Sequence, residues 1–185
     1  MEDSKIVELF LARSEEAIRE TDVKYGGLCR YIAGNILRSA EDSEECVNDT
    51  YWGAWNAIPP QKPSRFSAFL GKITRNLALK RYEYTTAAKR NPEAACSLTE
   101  LDECVSGRES VENELENRRI ERAISDFLWQ QEPVKRNVFI RRYWYFEPVA
   151  DIGRRYGFSQ SKAASMLYQT RRKLRDYLES EGIEL

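Results

Sequence analysis

Apolar residues recur along this chain with the period of a helix, not a strand. Ile6, Leu9, Phe10 and Ala17 predict a helix over about residues 3–20. Tyr25, Leu28, Cys29, Ile32 and Ile36 fall on one face of a second helix, and Val47, Tyr51, Ala54, Trp55 and Ile58 repeat the spacing. Ser39 followed by Asp42 resembles a capping box that opens this segment, and Pro59-Pro60 closes it. Phe66, Phe69, Leu70, Ile73 and Leu77 give the core stripe of the next helix. Further on, Pro133 suits a helix start, with Val134, Val138, Phe139, Tyr143 and Phe146 as its buried face. Val149, Ile152, Gly153 and Tyr156 form a short helix, and Ala163, Leu167, Leu174, Tyr177 and Leu178 line the last one. No run of alternating β-branched residues argues for a sheet. The expected fold is all-α.

Between these helical blocks the pattern fades. Residues 86–115 contain Asn91-Pro92, Ser106-Gly107 and scattered acids, with few large apolar groups. They are expected to form an acidic linker, within which Leu98 and Leu101 are able to pack. Two small helical domains follow from this, residues 1–85 and 116–185.

Composition narrows the chemistry. The chain has 185 residues, 42% hydrophobic and 32% charged, which is enough apolar material for packed cores. It has no histidine, so the commonest general base and metal ligand are missing. Neither GxxxxGK[ST] nor GxGxxG occurs. No catalytic residue, cofactor or metal is therefore expected, and an enzyme is disfavoured. Cys29, Cys46, Cys96 and Cys104 form no Cys-x-x-Cys pair and are expected to be unpaired thiols. No run is apolar and long enough to span a membrane, and the acidic start is unlike a signal peptide. A cytoplasmic protein without membrane insertion is expected.

The net charge of −1 conceals segregation. Residues 62–90 hold eight bases and one acid, and residues 133–178 hold eleven bases and three acids. Residues 1–61 hold twelve acids and six bases, and 91–117 hold eight acids and one base. Alternating blocks of this kind suit either local contact with a polyanion or solvated helix faces. In the second basic block, Gly157-Phe158-Ser159 is a tight turn between two helices, with Gly157 able to take positive φ and Ser159 able to cap. Helix, three-residue turn, helix is the arrangement that lays a second helix in the DNA major groove. Gln160, Ser161, Lys162, Ser165 and Gln169 suit base edges or phosphates, and Arg171, Arg172, Lys173 and Arg175 suit phosphates. An ordinary helical hairpin with a basic surface remains the alternative. In the first basic block, Arg65, Lys72, Asn76 and Lys80 share a helix face, with Arg75 at its edge. The aromatic residues Trp52, Trp55, Phe66 and Phe69 are expected in the core more than as base-stacking platforms. Asp42, Glu44, Glu45 and Asp49 surround the band Tyr51, Trp52 and Trp55, which suits a protein-binding face with a charged rim.

Taken together, DSEECVNDTYWGAWNAI (42–58) and SRFSAFLGKITRNLALKRY (64–82) resemble region 2 of bacterial RNA polymerase sigma factors, most closely the extracytoplasmic-function (ECF) group. The run PVKRNVFIRRYWYFEPVADIGRRYGFSQSKAASMLYQTRRKLRDYL (133–178) resembles region 4 of the same group, a helix-turn-helix. The resemblance implies a factor that binds core RNA polymerase and directs transcription initiation at promoter DNA. For polymerase contact it implies Glu45, Asn48, Asp49, Thr50 and Trp55. For the −10 element and DNA opening it implies Lys62, Ser64, Arg65, Phe66, Lys72, Arg75, Asn76 and Lys80. For the −35 element it implies Gln160, Ser161, Lys162, Ser165, Met166, Gln169 and Arg172. Many members of the group are held inactive by an anti-sigma partner, and the resemblance leaves room for one here. Two departures stand out. Ala163-Ala164-Ser165-Met166 lacks two commonly basic positions, and Phe69 and Gly71 stand where relatives often carry Trp and Tyr. A stand-alone helix-turn-helix regulator and a helical scaffold or enzyme are the competing readings.

Overall fold

A computed structural model describes residues 1–84, 92–105 and 114–183. All regular elements among them are helices. The chain divides into two compact units, Met1–Asn91 and Pro92–Leu185.

The first unit contains α1 (Asp3–Leu11), α2 (Glu16–Leu37), α3 (Ala40–Ala57) and α4 (Phe66–Tyr84). α2, α3 and α4 pack on one another and α1 lies against α2. Their core joins Ile6 and Phe10 to Cys29, Val47, Ala54, Ile58, Phe66 and Leu70. The single helix expected over 3–20 is in fact two, with Ala17 on the second. The chain reverses at Arg13, whose φ is 55°. Arg13 donates to the Trp55 carbonyl at 2.6 Å and lies over the Trp55 ring. That reversal lets Ile6 and Phe10 fold back onto the core. The spacing from Phe10 to Ala17 suits one continuous helix equally well, so periodicity cannot reveal the break. α3 starts as its capping signal predicts, with Ser39 Oγ accepting from Asp42 N–H at 3.2 Å.

The second unit contains α5 (Pro92–Val105), α6 (Glu114–Gln130), α7 (Pro133–Tyr143), α8 (Val149–Tyr156) and α9 (Gln160–Ser180). Phe127, Val138, Phe139, Tyr143, Ile152, Leu167, Leu174 and Leu178 build its core. Pro133 opens α7 as predicted. Phe146 lies beyond the end of α7, with φ 54°, yet it is fully buried. The expected linker over 86–115 needs correction in its middle, because residues 92–105 form α5, which packs against α7 and α9. Ala94 and Ser97 are buried and Leu101 joins the core. The expected second domain thus begins at Pro92 and not near 116. Residues 86–91 and 106–113 lie outside the described residues. Cys29 and Cys46 are buried free thiols and Cys96 is an exposed one, while the Cys104 side chain is outside the described set. Among the described residues, no helix is long and apolar enough to cross a membrane.

Candidate protein and nucleic-acid interfaces

α3 carries five carboxylates, Glu41, Asp42, Glu44, Glu45 and Asp49, and no Lys or Arg. Its inner face is pinned to α4. The Thr50 hydroxyl, fully buried, donates to the Cys46 carbonyl at 2.8 Å and lies 3.2 Å from the Thr74 hydroxyl oxygen. Thr74 in turn donates to the Leu70 carbonyl at 2.9 Å. Thr50 therefore holds two helices together and is not a surface contact, contrary to its expected place at a protein interface. Burial also pushes the Cys46 thiol up to about 11, which keeps it protonated at neutral pH.

The flanks of α3 are closed by ion pairs. Arg30 on α2 reaches Glu44 at 2.7 Å and Asp22 at 3.1 Å. Tyr51 donates to the same Asp22 oxygen at 2.8 Å, and burial, then this bond, raises the pKa of its phenol. On the other flank, Arg81 of α4 reaches Glu45 at 2.7 Å and Asp49 at 3.5 Å. The Arg81 guanidinium holds the Glu45 carboxyl below its usual range. Glu45, Asn48 and Asp49 are exposed, as a contact role requires, whereas Trp55 is half-buried against Phe10, with ring centroids 6.1 Å apart. Trp52, expected in the core, is 61% exposed.

On α4, Lys72, Asn76 and Lys80 are exposed at intervals of one turn, and Arg65 extends the row beyond the helix start. Lys62 and Ser64 are exposed in the preceding loop. Together these exposed positions form a polar stripe carrying four cations, interrupted at Ala68 and Phe69. Two expected members do not lie on it. Phe66 is completely buried, packed 5.7 Å from the rings of both Phe10 and Tyr25, so it cannot receive an unstacked base. Arg75 is half-buried, and burial lowers its pKa from the ordinary value.

In the second unit, α8 and α9 are joined by Gly157, Phe158 and Ser159. Gly157 takes φ 68°, and Ser159 Oγ accepts from Lys162 N–H at 3.1 Å. Gly153 is required by close approach, since a Cβ there would come within 2.9 Å of the Phe158 carbonyl. Gln160, Ser161, Lys162, Ser165, Gln169 and Arg172 are exposed on α9. Lys162 lies over the Phe158 ring at 4.2 Å. Met166 is half-buried against the core, off the face formed by the others. Tyr168 is 54% exposed beside that face and had no signal in the sequence beyond its type.

Two glutamates with internal partners escaped sequence reading. Glu147 is buried between Arg141 at 2.9 Å and Arg155 at 3.1 Å, fixing the chain that joins α7 to α8. Glu100 of α5 accepts from Arg142 at 3.2 Å, Tyr143 at 2.8 Å and Arg171 at 3.1 Å. Arg142 is 1% exposed. Burial pushes the Glu100 carboxyl up, but the bonds from Arg142 and Tyr143 outweigh it and leave its pKa below the usual value. Arg171, which suited a phosphate contact by sequence, is engaged inside its own unit.

Residues 23–87 match the family Sigma-70 region 2, a span that takes in most of α2 and all of α3 and α4. The chain contains a sigma-70 region 2 domain. No curated protein matches the chain at a significant level. The domain gives the chain a sigma-factor-like role in transcription, and such factors are not enzymes.

Proposed function

We propose that this chain is a sigma factor of the ECF group. It binds core RNA polymerase and directs initiation by reading −10 and −35 promoter elements and assisting DNA opening. The observation that carries this reading is the coincidence of the region 2 match with two separate surfaces on that unit, an acidic ridge on α3 and a basic stripe on α4. The ridge, with Glu45, Asn48 and Asp49, is the polymerase side, where opposite charge guides docking. The loop residues Lys62, Ser64 and Arg65 and the stripe Lys72, Asn76 and Lys80 are the −10 side. A cationic groove offsets the few kcal/mol that extruding a base requires.

The second unit supports region 4. α8 and a three-residue turn lead into α9, which exposes six polar side chains, five of them (Ser161, Lys162, Ser165, Gln169 and Arg172) on one side of the helix, a layout suited to major-groove reading. Gln160, Ser161, Lys162, Ser165, Gln169 and Arg172 are its −35 contacts. The protein works in the cytoplasm, and the family resemblance leaves room for regulation by an anti-sigma partner.

Run-off transcription tests the proposal. Core polymerase is given a library of random upstream sequences with and without the full chain. Enrichment of templates sharing two spaced motifs, only with the chain present, is the expected result. Transcripts that are the same in both reactions would refute it.

A further inference from the structure

α9 is short of cations in its first half. Between Lys162 and Arg171 it carries no lysine or arginine. Ser161, Lys162, Ser165, Gln169 and Arg172 lie on one side of the helix, and the exposed Tyr168 ring sits beside them. Arg171 follows Tyr168 by three residues, about one turn on, and its guanidinium carbon lies 5.9 Å from the Tyr168 ring centroid. Arg171 is thus one side chain away from the polar face. Its charge is nevertheless turned inward. The side chain is 14% exposed and lies 3.1 Å from a Glu100 carboxylate oxygen. It also donates to the Tyr143 hydroxyl.

Glu100 comes from α5, whose apolar packing is light. Among the described side chains of α5, the buried ones are small, Ala94 and Ser97, with Leu101 partly buried beside them. Burying an alanine removes far less apolar area from water than burying a leucine or a phenylalanine. The docking of α5 on α7 and α9 therefore leans on one carboxylate, which accepts from Arg142 at 3.2 Å and Tyr143 at 2.8 Å as well as from Arg171. A carboxylate and a backbone phosphate offer a guanidinium the same thing, an anionic pair of acceptor oxygens. Glu100 thus stands where a phosphate would otherwise be the partner of Arg171. It has the advantage of belonging to the same chain, which gives it a high effective concentration.

We propose that α5 is a built-in brake on the DNA face of the second unit: Glu100 competes with duplex phosphate for Arg171. With α5 docked, the face meets DNA without Arg171. When α5 lets go, Arg171 turns past Tyr168 and adds a phosphate contact next to Arg172. This rests on the reading of α9 as a DNA-binding helix, and adds to it a contact that the face gains only when the α5 clasp opens. The competition is reciprocal, so DNA that recruits Arg171 must also loosen α5.

The test is a titration of a labelled mixed-sequence DNA duplex with the full-length chain, followed by anisotropy at several salt concentrations. Glu100→Gln is expected to bind more tightly and to steepen the slope of log affinity against log salt by about 0.9, the value of one added phosphate contact. Adding Arg171→Gln to Glu100→Gln should remove that gain. Circular dichroism checks that both variants are folded. Hydrogen exchange on the parent gives a second reading that needs no variant: amides of α5 should lose protection when the duplex is added to saturation. An unchanged slope in folded Glu100→Gln, a gain that survives Arg171→Gln, or α5 protection that stays or rises on DNA would each overturn the brake and leave the DNA-binding reading intact. A parent chain that does not bind the duplex at low salt would remove that reading and the brake with it.

Discussion

Replacing Glu100 tests whether α5 belongs to the second unit. Its carboxylate is the acceptor for Arg142, Tyr143 and Arg171, on two different helices. Arg142 is almost completely buried, so it gains little from water when Glu100 is removed. Breaking one side of a buried charge pair costs about 3–5 kcal/mol. Glu100 is itself about a quarter exposed (24%), so a loss of roughly 2–4 kcal/mol is expected for Glu100→Ala. Glu100→Gln keeps hydrogen-bonding capacity without charge and should fall between the two. Hydrogen exchange on the full chain reads this locally. Amides of α5, α7 and α9 should lose protection, and those of α2, α3 and α4 should not change. The pH dependence has a definite sign. The folded carboxyl lies below its ordinary value of 4.5, so its stabilisation is present above that value and fades as pH falls through the lower folded pKa. The stability gap between parent and Glu100→Gln should therefore shrink on acidification below about 4.5. A variant within about 0.5 kcal/mol of the parent at neutral pH, with unaltered exchange in α7 and α9, would refute the reasoning.

Two other substitutions separate packing from contact. Phe66→Ala should cost about 3–5 kcal/mol in urea unfolding, because the ring is completely buried; a loss below about 1 kcal/mol would show that the ring is not core. Arg172→Ala should weaken DNA binding and lower the slope of log affinity against log salt by about one, measured by filter binding at several salt concentrations. An unchanged slope would show that Arg172 touches no phosphate.

Local chemistry was legible in the sequence. Ser39, Pro133, Gly157 and Ser159 act where their side chains or φ preferences dictate, and each sits at the boundary it predicts. What depends on tertiary partners was not. Periodicity already put Phe66 in a core stripe, and only the family resemblance gave Phe66 and Thr50 contact roles, although both are fully buried. Trp52 has the opposite history, since an aromatic at helical spacing suggests a core position until neighbouring helices are placed. α5 was missed because its acids look solvated in sequence. Glu100 becomes an internal counter-charge only when Arg142, 42 residues later, is folded beside it. The reversal at Arg13 lacks glycine or proline, the residues that announce a turn.

The central claim is that this chain docks on core RNA polymerase. Gel filtration of the full chain mixed with bacterial core polymerase, with excess non-specific DNA as competitor, tests it most directly. Co-elution with core that survives the competitor is the predicted result. A chain that elutes alone from a core it should match would contradict the claim and favour a regulator that binds DNA without polymerase.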